Sequence, residues 1–176
     1  MTVNLPELSL TEWAVLGFID EGDTYGFSVA KQFAAGGAAG RVWTVARPLV
    51  YRAIDTLTSQ ALVCALGSEP GAGGPRRTLI RVTPAGSAAL AAWLEAPIDH
   101  VRDARSHLLM KLLLIERRGG SNATLVRRQR AALETMVIGL ERQLDDATGF
   151  DGVLARWRLY SAETLDRFLA EITDGQ

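Results

Sequence analysis

The chain has 176 residues, with 19 Lys and Arg against 20 Asp and Glu, a formal charge of −1, and 48% hydrophobic residues. A chain this long buries roughly 70% of the surface its unfolded form exposes, so its core needs no metal or disulfide staple, and one domain or two small ones both fit. Near-neutral total charge excludes a uniformly basic nucleic-acid binder, but binding is done by a patch and not by a sum.

Cys64 is the single cysteine, so no intrachain disulfide can form. It lies in the apolar run Leu62-Val63-Cys64-Ala65, where a thiol acts as a small buried hydrophobe. The opening Met1-Thr2-Val3-Asn4-Leu5-Pro6-Glu7 lacks the basic-then-apolar order of a secretory signal. The longest apolar cluster, Leu108 to Ile115, contains Lys111 and is far shorter than the ~20 residues a membrane span requires. A soluble cytoplasmic protein is expected.

Ser9-Leu10-Thr11-Glu12 has capping-box spacing, and the apolar positions after it predict an amphipathic helix over 10–20. Thr24 is placed to cap a second helix through Phe27, Val29, Ala30 and Phe33, stopped by Gly36-Gly37. Pro48 suits the first turn of a third helix, whose buried stripe is Val50, Ile54, Leu57 and Ala61. The period then changes: Leu62 to Leu66 and Thr78 to Val82 read as a β-hairpin with a long flexible tip that ends in Arg76-Arg77. Thr83-Pro84 opens a helix through Leu90, Trp93 and Leu94.

Three more helices are predicted. Residues 103–117 carry aliphatics on nearly every side, including Leu109 and Leu113, and should be buried all round. From Asn122 to Asp146, Leu133, Val137, Leu140 and Leu144 form a stripe. Beyond the glycines at 149 and 152, expected to be a joint, Leu154, Trp157, Leu165, Phe168 and Ile172 form another, broken by Ser161. Two such stripes call for partner helices, either in the same chain or in a second copy.

The order helix, helix, helix, hairpin, helix is that of a winged helix-turn-helix. The expected fold class is mainly α with a small β-hairpin wing: a winged helix-turn-helix over 1–95 and a C-terminal helical dimerisation domain over 96–176. A helix-turn-helix lays its second helix in the major groove, N-terminal end toward the bases. On that helix Arg47, Tyr51, Arg52 and Asp55 lie away from the apolar stripe. From Gly40 to Gly86, six arginines (41, 47, 52, 76, 77 and 81) stand against Asp55 and Glu69, while Asp20, Glu21 and Asp23 lie outside. Arg47, Tyr51, Arg52, Arg76 and Arg77 are therefore the candidate DNA-binding residues.

Four stretches then carry a family resemblance: Leu8-Ser9-Leu10-Thr11-Glu12-Trp13-Ala14-Val15-Leu16-Gly17; Thr24-Tyr25-Gly26-Phe27-Ser28-Val29-Ala30; Leu49-Val50-Tyr51-Arg52-Ala53-Ile54-Asp55-Thr56-Leu57 and on to Val63; and Gly74-Pro75-Arg76-Arg77-Thr78-Leu79-Ile80-Arg81-Val82-Thr83-Pro84-Ala85-Gly86. Together they resemble the PadR-type transcriptional regulators over residues 8–95. The remainder is similar, by length and apolar pattern, to the C-terminal helical domain of the virulence-activator type. The resemblance implies a homodimeric DNA-binding regulator, a repressor by expectation, with the C-terminal helices forming the dimer. It also implies that a small aromatic or amphipathic effector can bind, with Trp13 and Trp93 as the candidate pocket. Three departures stand out: Arg47-Pro48-Leu49-Val50 stands where small residues are usual before the tyrosine, Ala61 replaces a frequent glycine, and the wing tip is longer and richer in glycine than is usual.

Neither His100 nor His107 has a nucleophile or metal-ligand partner at recognisable spacing, and no phosphate-binding glycine motif lies between a strand and a helix. No cofactor or metal is expected, and no acid/base constellation supports an enzyme. The competing reading is a winged-helix protein-interaction module without DNA binding.

Overall fold

The computed structural model describes residues 5–71 and 74–174, of which 70, 71, 74–76, 173 and 174 are described by backbone alone. The chain divides into two compact units. One runs through Leu94 and takes in Leu109–Gly119; the other comprises Glu95–Leu108 and the residues from Gly120 onward.

The first unit is built on α1 (Leu10–Asp20), whose Trp13 through Ile19 are all buried. Its capping box forms as the spacing predicts: Glu12 N donates to Ser9 Oγ at 3.3 Å and Ser9 N to the Glu12 carboxylate at 2.6 Å. β1 (Thr24–Tyr25) and α2 (Gly26–Gln32) follow. Here the expectation for Thr24 is corrected. Thr24 caps nothing; it pairs with Ile80, and Tyr25 with Leu79, so the sheet has three strands in the order β1-β3-β2.

After a 3-10 turn at Ala39–Arg41, α3 (Arg47–Ser59) carries proline in its first turn and buries Val50, Ala53, Ile54 and Leu57. β2 (Val63–Gly71) and β3 (Gly74–Val82) pair from Val63↔Val82 out to Gly71↔Gly74. The strands thus consume most of the segment expected to be a flexible tip, because backbone pairing outweighs the poor strand propensity of its glycines and prolines. Ala72 and Gly73 lie outside the described residues. Cys64, expected buried, is half-buried on β2.

α4 (Pro84–Glu95) begins where Thr83 Oγ1 accepts from Gly86 N at 3.1 Å. The last element of this unit is α5 (Leu109–Arg117), and it corrects the prediction of one fully buried helix over 103–117. Val101–Asp103 is a 3-10 turn and Ala104–Leu108 a π-helical turn in the second unit. In α5, Met110 and Leu114 are buried, Leu112 and Leu113 half-buried, and Leu109 36% exposed. Aliphatics on every side of a wheel do not say which side finds a partner; Leu114 finds Gly17 of α1. Arg117 adds a two-pronged ion pair with Glu21, at 2.5 and 2.6 Å, and Arg118 one with Asp20 at 3.0 Å.

The second unit is a helical hairpin of α6 (Ala123–Asp146) and α7 (Gly149–Asp174) with the two short turns beside it. The expected joint at Gly149 and Gly152 falls inside the first turn of α7 instead. Leu125, Val126, Leu133 and Leu140 are buried on α6, and Ala155, Leu159, Ala162, Leu165 and Leu169 on α7. Gln129 is 1% exposed and satisfied: its Oε1 accepts from Ile98 N at 2.7 Å and its Nε2 donates to Ile98 O at 3.3 Å.

Candidate nucleic-acid interface

The α2–α3 pair is seated on the core by Phe33, fully buried and edge-on to Phe18 with ring centroids 5.5 Å apart. Val45 N donates to Phe33 O at 3.2 Å, which fixes the approach to α3. Because the apolar stripe of α3 faces this core, its first two turns present Arg47, Pro48, Leu49, Tyr51 and Arg52 to solvent.

Arg47 is held between two rings. Its guanidinium carbon lies 5.1 Å from the Phe27 centroid and 5.5 Å from that of Tyr51, and its Nη2 donates to the Tyr51 hydroxyl at 3.4 Å. Lys31 Nζ lies 4.6 Å from the same Phe27 ring. Cation–π contacts of this kind are worth roughly 0.5–1 kcal/mol at exposed sites and orient the cation without neutralising it. Tyr51 is 38% exposed and its ring edge lies over Gly26. Phe27, on the second predicted helix, is 47% exposed. Phe27 and Lys31 are the site residues that sequence reasoning missed. The signal was available: α2 is short, and Lys31 follows Phe27 by one helical turn.

Electrostatics sharpen the charge count. Arg81 donates from Nε and Nη2 to both carboxylate oxygens of Asp23 at 2.6 and 2.5 Å. The hydrogen-bonded guanidinium holds the Asp23 carboxyl below its usual range, and Asp23 raises Arg81 in turn. One of the six arginines is therefore neutralised by an acid that composition placed outside the patch. Glu69 is also engaged, accepting from the Tyr25 hydroxyl at 2.8 Å, a bond that raises the Tyr25 phenol. Among the described residues, Arg52 has no ion pair with Asp55 or Glu69. Arg77 is exposed on β3, opposite Glu69 in the ladder. The side chain of Arg76 lies outside the described residues.

Trp13 and Trp93 do come together, stacked with centroids 5.1 Å apart and planes 6° from parallel, but they are 4% and 6% exposed. Lys111 caps the stack, its Nζ 4.7 Å from the Trp93 centroid. The pair fills core volume and leaves no room for a ligand between the rings. A cavity of about 680 Å³ lies instead within the second unit, walled by Met136, Leu140, Leu154 and Trp157 with Arg105 and Arg158 on its lining.

The residues expected at the dimer interface divide into three sets. Leu133, Leu140 and Leu165 are buried inside the second unit, and Val137 and Leu144 are half-buried there. Leu109 and Leu113 belong to the winged unit. Trp157 and Phe168 face solvent, 70% and 36% exposed. Phe150, Val153 and Tyr160, which the stripe over α7 omitted, are exposed beside them at three- and four-residue spacing. Their register was readable; the stripe chosen mixed the two faces of α7.

Among the described residues there is no group of three or more His, Cys, Asp or Glu positioned to hold a metal, and no helix is long and apolar enough to cross a membrane. No protein-family model and no curated protein matches the chain. Among solved structures it is similar to Bacillus subtilis PadR in complex with operator DNA, at 15% identity over 93% of this chain and 97% of that one, with a TM-score of 0.49. The same protein in complex with p-coumaric acid matches at 15% identity over 93% and 96%, with a TM-score of 0.45. smu.1604c from Streptococcus mutans UA159 matches at 14% identity over 93% and 98%, with a TM-score of 0.43.

Proposed function

We propose that the chain is a PadR-type transcriptional regulator, a homodimeric repressor that binds a palindromic DNA operator and is released by a small amphipathic effector. The observation that carries this reading is the exposed start of α3, where Arg47 is oriented by Phe27 and Tyr51, and Arg52 in the next turn is exposed with no ion pair among the described residues. Cations presented on aromatic side chains at the N-terminal end of a helix-turn-helix's second helix suit phosphate and base-edge contacts in the major groove. Arg77, exposed on β3, extends the positive surface along the wing, and Arg76 precedes it in the sequence.

The exposed row Phe150, Val153, Trp157, Tyr160 and Phe168 supports self-association, since contiguous apolar patches on soluble proteins mark interaction sites. Two-fold symmetry would then set two α3 helices about 34–36 Å apart on one face of the duplex. The cavity beside Trp157 is the proposed effector site: a ligand there touches a side chain of the self-association face, so it can favour one spacing of the reading heads over another.

The test is selection of bound duplexes from a random pool, followed by a salt titration. A palindromic consensus, and an affinity that falls steeply with salt, are expected for a protein that neutralises several phosphates. Failure to bind any duplex at low salt would leave the protein-interaction reading in its place. Trp157 fluorescence unmoved by a panel of aromatic and amphipathic compounds would remove the effector from the mechanism.

A further inference from the structure

The first turn of α3 holds one side chain that neither the charge pattern nor the core explains. Leu49 is 46% exposed on the solvent side of a helix whose other exposed residues include Arg47, Tyr51, Arg52 and Asp55. It adjoins the buried Val50, yet lies about 100° round the helix from it and outside the stripe Val50, Ala53, Ile54 and Leu57. Pro48, in the first turn beside it, fixes its own φ and stiffens the turn that carries Leu49. Arg52, three residues on, projects from the same flank of the helix.

We infer that Leu49 is a specificity-determining residue that contacts the 5-methyl group of a thymine in each operator half-site. This rests on the DNA-binding reading above and goes beyond it. In the major groove thymine alone among the four bases offers an apolar group, its C5 methyl, and an apolar side chain reads it only where it is long enough to reach it from its position on the helix. A leucine at this position can accept no base-edge proton and donate none, so cytosine, adenine and guanine leave it facing unpaired polar edges. The exposed guanidinium of Arg52 on the same flank supplies the complementary element, a fork suited to the O6 and N7 of a nearby guanine. Leu49 keeps nearly half of its surface open in the free protein and discriminates only when the groove closes over it.

The experiment uses the full chain and the duplex it selects from a random pool, with each thymine replaced in turn by deoxyuridine, which removes only the methyl group. At one thymine per half-site the replacement is expected to weaken binding about fourfold, and roughly fifteenfold when made in both half-sites, the scale of one buried methyl each. Leu49→Ala should bind the thymine and deoxyuridine duplexes equally, while keeping the wild-type melting temperature and low-salt affinity for random duplex. Leu49→Asn should move the selected base at that position toward adenine, which asparagine reads through N6 and N7. Methyl-independence at every thymine, or a Leu49→Ala variant that keeps the wild-type discrimination, overturns the role of Leu49 alone. Loss of all duplex binding in the wild type overturns the DNA-binding reading together with it.

Discussion

The ring of Tyr51 rests on the backbone of Gly26: a methyl group on that glycine would lie 2.8 Å from Tyr51 Cε1 and 3.3 Å from Ile54 Cδ1. The first residue of α2 is thus a seat for the aromatic ring that steadies Arg47. Gly26→Ala is expected to tilt the Tyr51 ring, lower stability by roughly 1–3 kcal/mol as an overpacking change, and weaken specific DNA binding. The paired measurement is thermal melting with duplex titration. Tyr51→Phe, which keeps the ring and removes the hydroxyl that Arg47 reaches, should leave melting unchanged and lower affinity modestly.

Arg81 and Asp23 neutralise each other, so Arg81 is not expected to act as a phosphate contact. Arg81→Ala should leave the salt dependence of DNA binding nearly unchanged, whereas Arg77→Ala should flatten the log–log slope of the dimer by about two units, one for each protomer. The pair also sets an acid limit on the β1–β3 edge. The folded Asp23 carboxyl lies below its ordinary value. Its contribution is accordingly complete above the ordinary carboxylate range and is lost as pH falls through the lower folded value. In an NMR titration the Asp23 carboxyl should reach its midpoint below the ordinary aspartate value. In Arg81→Ala it should return toward that value.

α1, α3 and the closure at Thr83 were legible in the sequence because each is fixed by contacts within a few residues: Ser9 with Glu12, Pro48 in the first turn, Thr83 with Gly86. β1 was not, because Thr24 and Tyr25 are strand only through pairing with Ile80 and Leu79, far along the chain. The same limit governed the site. Arg47 and Tyr51 could be placed from helical spacing, but the pairing of Arg81 with Asp23 and the exposure of Phe27 are tertiary facts. Trp13 and Trp93 illustrate the converse error, since large aromatics attract a ligand reading and are more often core.

Ala61 has φ of +57°, between the end of α3 and β2. An L-residue there costs roughly 1–2 kcal/mol, while glycine's greater freedom in the unfolded chain costs about 0.4–1 kcal/mol. Ala61→Gly is therefore expected to be neutral to stabilising, by up to about 1 kcal/mol. Chemical denaturation with an unchanged m-value is the check, and a destabilised variant would show that the strain is not borne at this residue.

Gly17 and Leu114 make α5 part of the winged unit: a methyl on Gly17 would lie 2.6 Å from Leu114 Cδ1. Gly17→Ala alone should cost about 1–3 kcal/mol by overpacking, and Leu114→Ala alone about 2–5 kcal/mol by opening a cavity. The double variant should be more stable than the sum predicts, because the added methyl enters space the leucine vacates. A coupling energy near zero in that double-mutant cycle would mean the two helices do not bear on each other.

Trp157 and Leu140 separate self-association from folding. Trp157 is 70% exposed, whereas Leu140 is 8% exposed and buried within the helical hairpin. Leu140→Ala should lower stability by about 2–5 kcal/mol. Trp157→Arg, alone or with Phe168→Arg, should leave the melting of the isolated subunit nearly unchanged, because neither ring fills the unit's own core. In sedimentation velocity the charged variants should run as monomers at concentrations where the wild type is dimeric. Their DNA binding should lose about half the salt slope, since one reading head neutralises half the phosphates that two do. Wild-type sedimentation that stays monomeric at high concentration would assign the exposed row Phe150, Val153, Trp157, Tyr160 and Phe168 to a different partner.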